Sequence, residues 1–230
     1  MNCNYKNITE VLQILNNCGV DYVILRNYEN LLSDELYVDG HGDIDILCAD
    51  SITLAKSIQA NKWNPDNESD KTHYRIFING ASVSLDLRYV GDGYYCTKWQ
   101  KHILNNKVFN GSFYIMDKES YFYTLAYHAI LQKRVFTEEY QQRLSIMAMN
   151  LGISLKNYSK EELVRCLNRD LKDKAYKYTY PIDKYVPLNI KYVDKALLKY
   201  DFKLAFRHLC FDSKVTIIEL LVRIKHLLQL

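Results

Sequence analysis

The sequence is short of the features that mark several large classes of protein. No two of its six cysteines form a CxxC pair or share metal-ligand spacing. A disulfide-stapled small domain concentrates its cysteines far more; reduced thiols in a cytoplasmic protein are expected instead. Met1 to Glu10 is polar and lacks the apolar core of a secretory leader. No uninterrupted apolar run is long enough to span a bilayer, and the longest, Val215 to Leu230, is broken by Glu219, Arg223, Lys225 and His226. There is no HExxH, GxxxxGK[ST], GxSxG or GxGxxG, so metalloprotease, P-loop, serine hydrolase and dinucleotide-binding readings have no motif support. Internal repeats and low-complexity linkers are also missing.

What is present is enough for a packed core: 230 residues, 48% of them hydrophobic. Charge is unevenly spread. Residues 1–130 carry 16 acidic and 11 basic side chains, and residues 131–230 carry 11 acidic and 19 basic. The acidic part suits metal binding. The basic part suits a nucleotide, a phosphorylated sugar, a membrane surface or simply a solvated helical face.

Hydrophobic spacing predicts a helix over 7–18 closed by Gly19, a buried strand at Tyr22 to Leu25, and a loop over 27–42. Asp43 to Cys48 alternates as a strand does, and Ser51 is placed to cap a helix from Ile52 to Ala60. Two further strand patterns, Tyr74 to Ile78 and Ser82 to Val90, flank Asn79-Gly80, a dipeptide that favours a tight hairpin turn. A helix at 97–105 and a short strand within 111–116 follow. Helices are then expected over 118–133, 137–150, 160–170, 191–208 and 213–229, with Pro181 and Pro187 marking a loop. The order implies an α+β fold: a mixed sheet with flanking helices over 1–116, then a helical part over 117–230.

Asp43 and Asp45 are two residues apart on a strand, so both project from one face, and they follow Gly40-His41-Gly42. Asp86 sits on a later strand. If the strands neighbour each other, three carboxylates converge, and their mutual repulsion calls for a divalent cation. The competing account makes Asp43 a turn cap and Asp86 the partner of Arg88.

Gly42-Asp43-Ile44-Asp45-Ile46-Leu47, with Ser84-Leu85-Asp86-Leu87 downstream, resembles the nucleotidyltransferase superfamily of the DNA polymerase β type. With Tyr22-Val23-Ile24-Leu25-Arg26-Asn27-Tyr28-Glu29-Asn30-Leu31 added, the likeness is to a bacterial branch often found among surface-polysaccharide genes. It covers residues 1 to about 90.

The resemblance implies two Mg²⁺ ions, with Mn²⁺ as a substitute, held by Asp43, Asp45 and Asp86 as metal ligands and catalytic residues. It implies transfer of a nucleoside monophosphate from a nucleoside triphosphate to a small-molecule or saccharide acceptor. Two other readings stay open: a phosphotransferase moving a phospho-group from a CDP-linked donor onto a cell-surface polysaccharide, and a non-catalytic binding module of the same fold.

The superfamily's Gly-Ser or Gly-Gly phosphate-binding pair is replaced here by Arg26-Asn27. Arg26 therefore either grips a phosphate or pairs with Glu29. Gly42, Arg88, His128 and Lys133 complete the candidate nucleotide contacts. Arg88 either stabilises a triphosphate or neutralises the carboxylates. His41 touches a substrate phosphate or solvent. His128 and Gln132, four apart, with Lys133, contact a nucleotide or form a polar helix face. The apolar arc of the last helix suits core packing or oligomerisation, or else peripheral contact with the inner face of a membrane through Lys214, Arg223 and Lys225. Basic residues do not alternate with aromatics in a nucleic-acid-binding motif, which argues against a nucleic-acid acceptor.

Overall fold

A computed structural model describes residues 3–33 and 43–228, with side chains through residue 218. Gly42 and His41 lie outside the described residues, as do the side chains of Arg223 and Lys225. The fold is α+β: a mixed eight-stranded sheet with flanking helices and a helical C-terminal part.

The chain begins with β1 (Asn4–Tyr5) and α1 (Ile8–Asn17). Asn7 caps α1 by accepting from the Glu10 amide, and Glu10 accepts in turn from the Lys6 amide. The arrangement satisfies one N–H of the first helical turn and one just before the cap. Gly19, at φ +74°, ends the helix in the left-handed conformation expected of it. There follow β2 (Tyr22–Ile24), β3 (Asp43–Cys48) and α2 (Ser51–Ser57). Asp50, rather than Ser51, caps α2: its carboxylate accepts from the Ile52 and Thr53 amides, while Ser51 is already helical and buried.

A two-residue strand, β4 (Asn61–Lys62), precedes the hairpin of β5 (His73–Ile78) and β6 (Ala81–Tyr89). Asn79 and Gly80 both have positive φ, the conformation a tight hairpin turn requires. Then come α3 (Thr97–Asn105), β7 (Val108–Phe109), β8 (Tyr114–Ile115), α4 (Lys118–Tyr127), a π-helical turn (His128–Gln132), α5 (Glu138–Asn150), α6 (Lys160–Asp173) and α7 (Phe202–Leu228).

The strand order is β1-β5-β6-β3-β2-β8-β7, with β4 beside β5. At its centre β3 runs parallel to β6 and antiparallel to β2. Ile44, Ile46, Leu85 and Leu87 face α1 and α2 in one apolar core. Val23, Leu25 and Leu47 face the other way, into a second core shared with α3 through α6. Burial of both sheet faces explains why β2 reads as a short apolar run.

Of the helix expected over 191–208, only the last part, from Phe202 on, is there. Two 3₁₀ turns, Ile190–Tyr192 and Lys195–Leu197, lead into α7, which begins at Phe202 and runs unbroken through the interruption expected near 209–212. Tertiary hydrogen bonds decide it. The Tyr178 amide donates to the Leu197 carbonyl (2.9 Å) and the Lys199 amide to the Tyr178 carbonyl (2.8 Å). Val193 and Leu197, four apart as on a helical face, thus bury their side chains without an α-helix between them. Among the described residues, no helix is long and apolar enough to cross a membrane.

Candidate functional site

The predicted carboxylates meet. Asp45 and Asp86 are direct partners across β3 and β6, and Asp43 lies two residues earlier on the same face, opposite Ser84. His73 on β5 is in turn the register partner of Asp86. A row of ionisable side chains therefore crosses three strands, from Asp45 through Asp86 to His73. Arg26, just beyond β2, closes the row at the Asp45 end. The Leu25 amide donates to the Asp45 carbonyl, which holds the chain there (2.8 Å).

Cationic side chains accompany the carboxylates. Arg26 Nη2 lies 2.9 Å from Asp45 Oδ1, so its partner is not Glu29. Glu29 instead accepts from Arg143 (2.6 Å). Arg88 donates to Asp86 Oδ2 (2.6 Å) and to Asp183 Oδ2 (2.9 Å), as its neutralising role requires. His73 places Nδ1 2.9 Å from Asp70 Oδ2, and Nε2 3.2 Å from Asp183 Oδ2 and 3.5 Å from Asp86 Oδ1.

These neighbours set the protonation states. Burial pushes the Asp45 carboxyl up, Arg26 opposes that, and Asp86 and Asp43 add to it. Burial alone would lower both guanidinium groups, but Tyr94 with Asp45 outweighs it at Arg26, and Asp86 with Tyr94 and Asp183 at Arg88. Burial also tends to raise Asp183, yet the hydrogen bond to His73 and the charge of Arg88 hold it below the usual carboxylate range. The bond to Asp183, helped by Asp70, raises His73 to about 9 against the cost of burial.

Tyr94 is the floor beneath both arginines. The Arg88 guanidinium carbon stands 4.7 Å from its ring centroid and that of Arg26 stands 5.9 Å away. The Tyr94 hydroxyl lies 3.2 Å from His128 Nδ1, Gln132 Oε1 is also 3.2 Å from that nitrogen, and Gln132 Nε2 donates to the Tyr94 carbonyl (3.0 Å). His128 and Gln132 are thus buried on a π-helical turn, not set on a polar helix face. Burial, aided by Arg26 and Lys133, drives His128 well below its usual range and keeps it neutral. Lys133 itself is exposed.

His73, Asp70, Asp183 and Tyr94 were not visible as site residues in the sequence. Position opposite Asp86 could have flagged His73, given the hairpin. Asp183 has no such local signal, since 95 residues separate it from Arg88.

Among the described residues, no three His, Cys, Asp or Glu side chains are gathered as a ready metal cage. The donor set nonetheless suits a hard cation. Mg²⁺ is commonly held by one or two carboxylates together with substrate phosphates, not by an all-protein cage. Asp43, Asp45 and Asp86 supply carboxylate oxygens on one face, and the ion pair with Arg26 engages Oδ1 of Asp45.

No family model matches the chain, and no curated protein matches it. A solved structure titled "tRNA-processing enzyme (apo form I)" is similar over 73% of this chain and 55% of its own, at 13% identity and a TM-score of 0.28. The chain thus spans about half the length of that structure. A likeness this slight carries no argument about function.

Proposed function

We propose that the chain is a metal-dependent nucleotidyltransferase, moving a nucleoside monophosphate from a nucleoside triphosphate to a small-molecule or saccharide acceptor. One observation carries the reading: Asp45 and Asp86 are register partners on adjacent parallel strands, with Asp43 on the same face. Carboxylates so placed repel one another, and a divalent cation bound to them would relieve that repulsion beyond what Arg26 and Arg88 already do.

The residues that would hold divalent cations are Asp43, Asp45 and Asp86, together with the oxygens of the triphosphate. When bound, such ions neutralise phosphate charge and activate the acceptor hydroxyl. The acceptor oxygen forms a bond to the α-phosphorus, the bond from that phosphorus to the bridging oxygen of the β-phosphate breaks, and pyrophosphate leaves. The acceptor's proton goes to water. Arg26 carries a planar guanidinium group suited to phosphate oxygens, Arg88 holds Asp86 in place, and exposed Lys133 adds a further positive charge. Tyr94, His128 and Gln132 keep both arginines in place from below. The unpaired cysteines favour a cytoplasmic location, and the sequence resemblance favours a role in surface-saccharide assembly.

The test is pyrophosphate release with Mg²⁺, a panel of nucleoside triphosphates and saccharide acceptors. Asp45→Asn and Asp86→Asn should each lose roughly a hundredfold or more. Unchanged activity in either variant overturns the proposal, and CMP release from a CDP-linked saccharide would move it to the other donor class. One feature favours the non-catalytic reading: Arg26 and Arg88 already pair with Asp45 and Asp86. Calorimetry that detects neither metal nor nucleotide binding would establish that reading instead.

A further inference from the structure

Beyond Asp86, on the side away from Arg26, a cavity of about 400 Å³ opens between the 67–73 segment and the 182–185 loop, with Arg207 of α7 at its wall. His73 belongs to both places: it lines the cavity, and its Nε2 lies 3.5 Å from Asp86 Oδ1. The cavity therefore abuts the third carboxylate of the row.

Its charges do not balance. Two anions line it, and both are engaged. Asp70 accepts from the Thr72 and His73 amides and pairs with the His73 ring. Asp183 is held by Arg88 and His73. Three cations line it besides His73. Lys71 and Lys184 form no ion pair among the described residues, and Arg207 donates to the Ile182 carbonyl. Lys184 instead lies over the rings of Tyr185 (5.2 Å) and Phe211 (5.7 Å). A concave site with surplus positive charge concentrates anions. Tyr185, exposed at the mouth with its ring set edgewise to His73, adds an aromatic surface for the body of a ligand.

We infer that this cavity is the acceptor subsite and takes a saccharide or polyol bearing a phosphate monoester or a carboxylate. The anion contacts Lys71 and Lys184, and the carbon skeleton lies against Tyr185, which brings the acceptor up to Asp86. Its role as the acceptor's site rests on the transfer reading above; its preference for anions rests on the charges of the cavity alone.

The experiment titrates the full chain with glucose 1-phosphate, glucuronate, glucose and, separately, ATP with Mg²⁺, following the amide signals of Thr72, His73 and Tyr185 by NMR. Both anionic sugars, or one of them, should shift these signals and glucose should not; whichever binds identifies the anion. Lys71→Ala/Lys184→Ala should weaken that binding by about tenfold or more, and should leave ATP binding unchanged. Equal binding of glucose, or undiminished binding by the double variant, overturns the inference. ATP binding weakened by that variant gives the cavity to the donor and also overturns it. If anionic sugars bind here while ATP with Mg²⁺ binds nowhere, the anion preference stands and the transfer reading falls.

Discussion

The guanidinium group of Arg88 rests on the ring of Tyr94, its carbon 4.7 Å from the ring centroid. Arg26 shares the same ring from 5.9 Å. One aromatic side chain therefore supports both cations that neutralise Asp45 and Asp86. A desolvated cation over an aromatic face is worth up to about 2 kcal/mol, and truncating a large buried side chain adds a cavity cost. Tyr94→Leu should thus destabilise by about 3–5 kcal/mol. Tyr94→Phe keeps the ring and loses only the hydroxyl facing His128, so about 1–2 kcal/mol is expected. Urea unfolding of both variants decides it: equal losses would mean that the hydroxyl, and not the ring, is what supports the arginines.

Arg26 and Asp45 form a buried pair whose two halves should respond unequally to removal. Arg26→Met leaves a buried carboxylate beside Asp86 and Asp43 without its cation, which should cost about 3–5 kcal/mol. Asp45→Asn leaves an unpaired guanidinium but also relieves repulsion from those two neighbours, so its cost should be about half as large. The double variant should be no worse than Arg26→Met alone. Additive losses in the double-mutant cycle would show that the two side chains act independently.

The carboxylate row was legible in the sequence because strand alternation is a local property. Asp43 and Asp45 must share a face once the strand exists, and the Asn79-Gly80 turn fixes the hairpin that carries Asp86. Its partners were not legible. Glu29, three residues from Arg26, is a plausible mate by spacing, yet Glu29 pairs with Arg143 from another part of the chain. Neither choice can be read from spacing, because the chain path after β2 decides which carboxylate Arg26 meets. The same limit produced the expected helix over 191–208. Its apolar spacing resembles a helical face, but backbone hydrogen bonds to Tyr178 hold part of the segment in another form.

The His73 network makes stability depend on pH in a defined direction. His73 is raised from its ordinary 6.5 to about 9, chiefly by Asp183. A group whose folded value is raised contributes fully below its unfolded value, and that contribution is lost as pH climbs through the folded one. Asp183, held low, contributes above its ordinary 3.8 and loses that contribution in acid. Both therefore act together between about pH 4 and pH 6.5. The free energy of unfolding should fall by roughly 1–2 kcal/mol between about pH 6 and pH 10, after allowance for partial screening at a half-buried site. His73→Gln should flatten that part of the profile. A variant profile parallel to the wild-type one would remove His73 as its cause.

Gly93 ties this network to the backbone. It sits at φ +76°, where other side chains are strained, and a Cβ added there would lie 2.4 Å from the Tyr180 carbonyl oxygen. The segment it touches is the one that delivers Asp183: the Ile182 amide donates to the Asp92 carbonyl (2.7 Å) and Thr179 Oγ1 to the Gly93 carbonyl (2.9 Å). The contact is backbone against backbone, so no side-chain rotation relieves it. Gly93→Ala should cost about 2–4 kcal/mol in unfolding free energy, from a methyl group in a tight space and a backbone that disfavours it. Displacement of the loop would also draw Asp183 away from Arg88 and His73, so the alkaline fall in stability should shrink in this variant as it does in His73→Gln. Chemical denaturation at about pH 6 and about pH 10 measures both effects. Destabilisation with the full pH dependence intact would show that the loop yields at Tyr180 without moving Asp183.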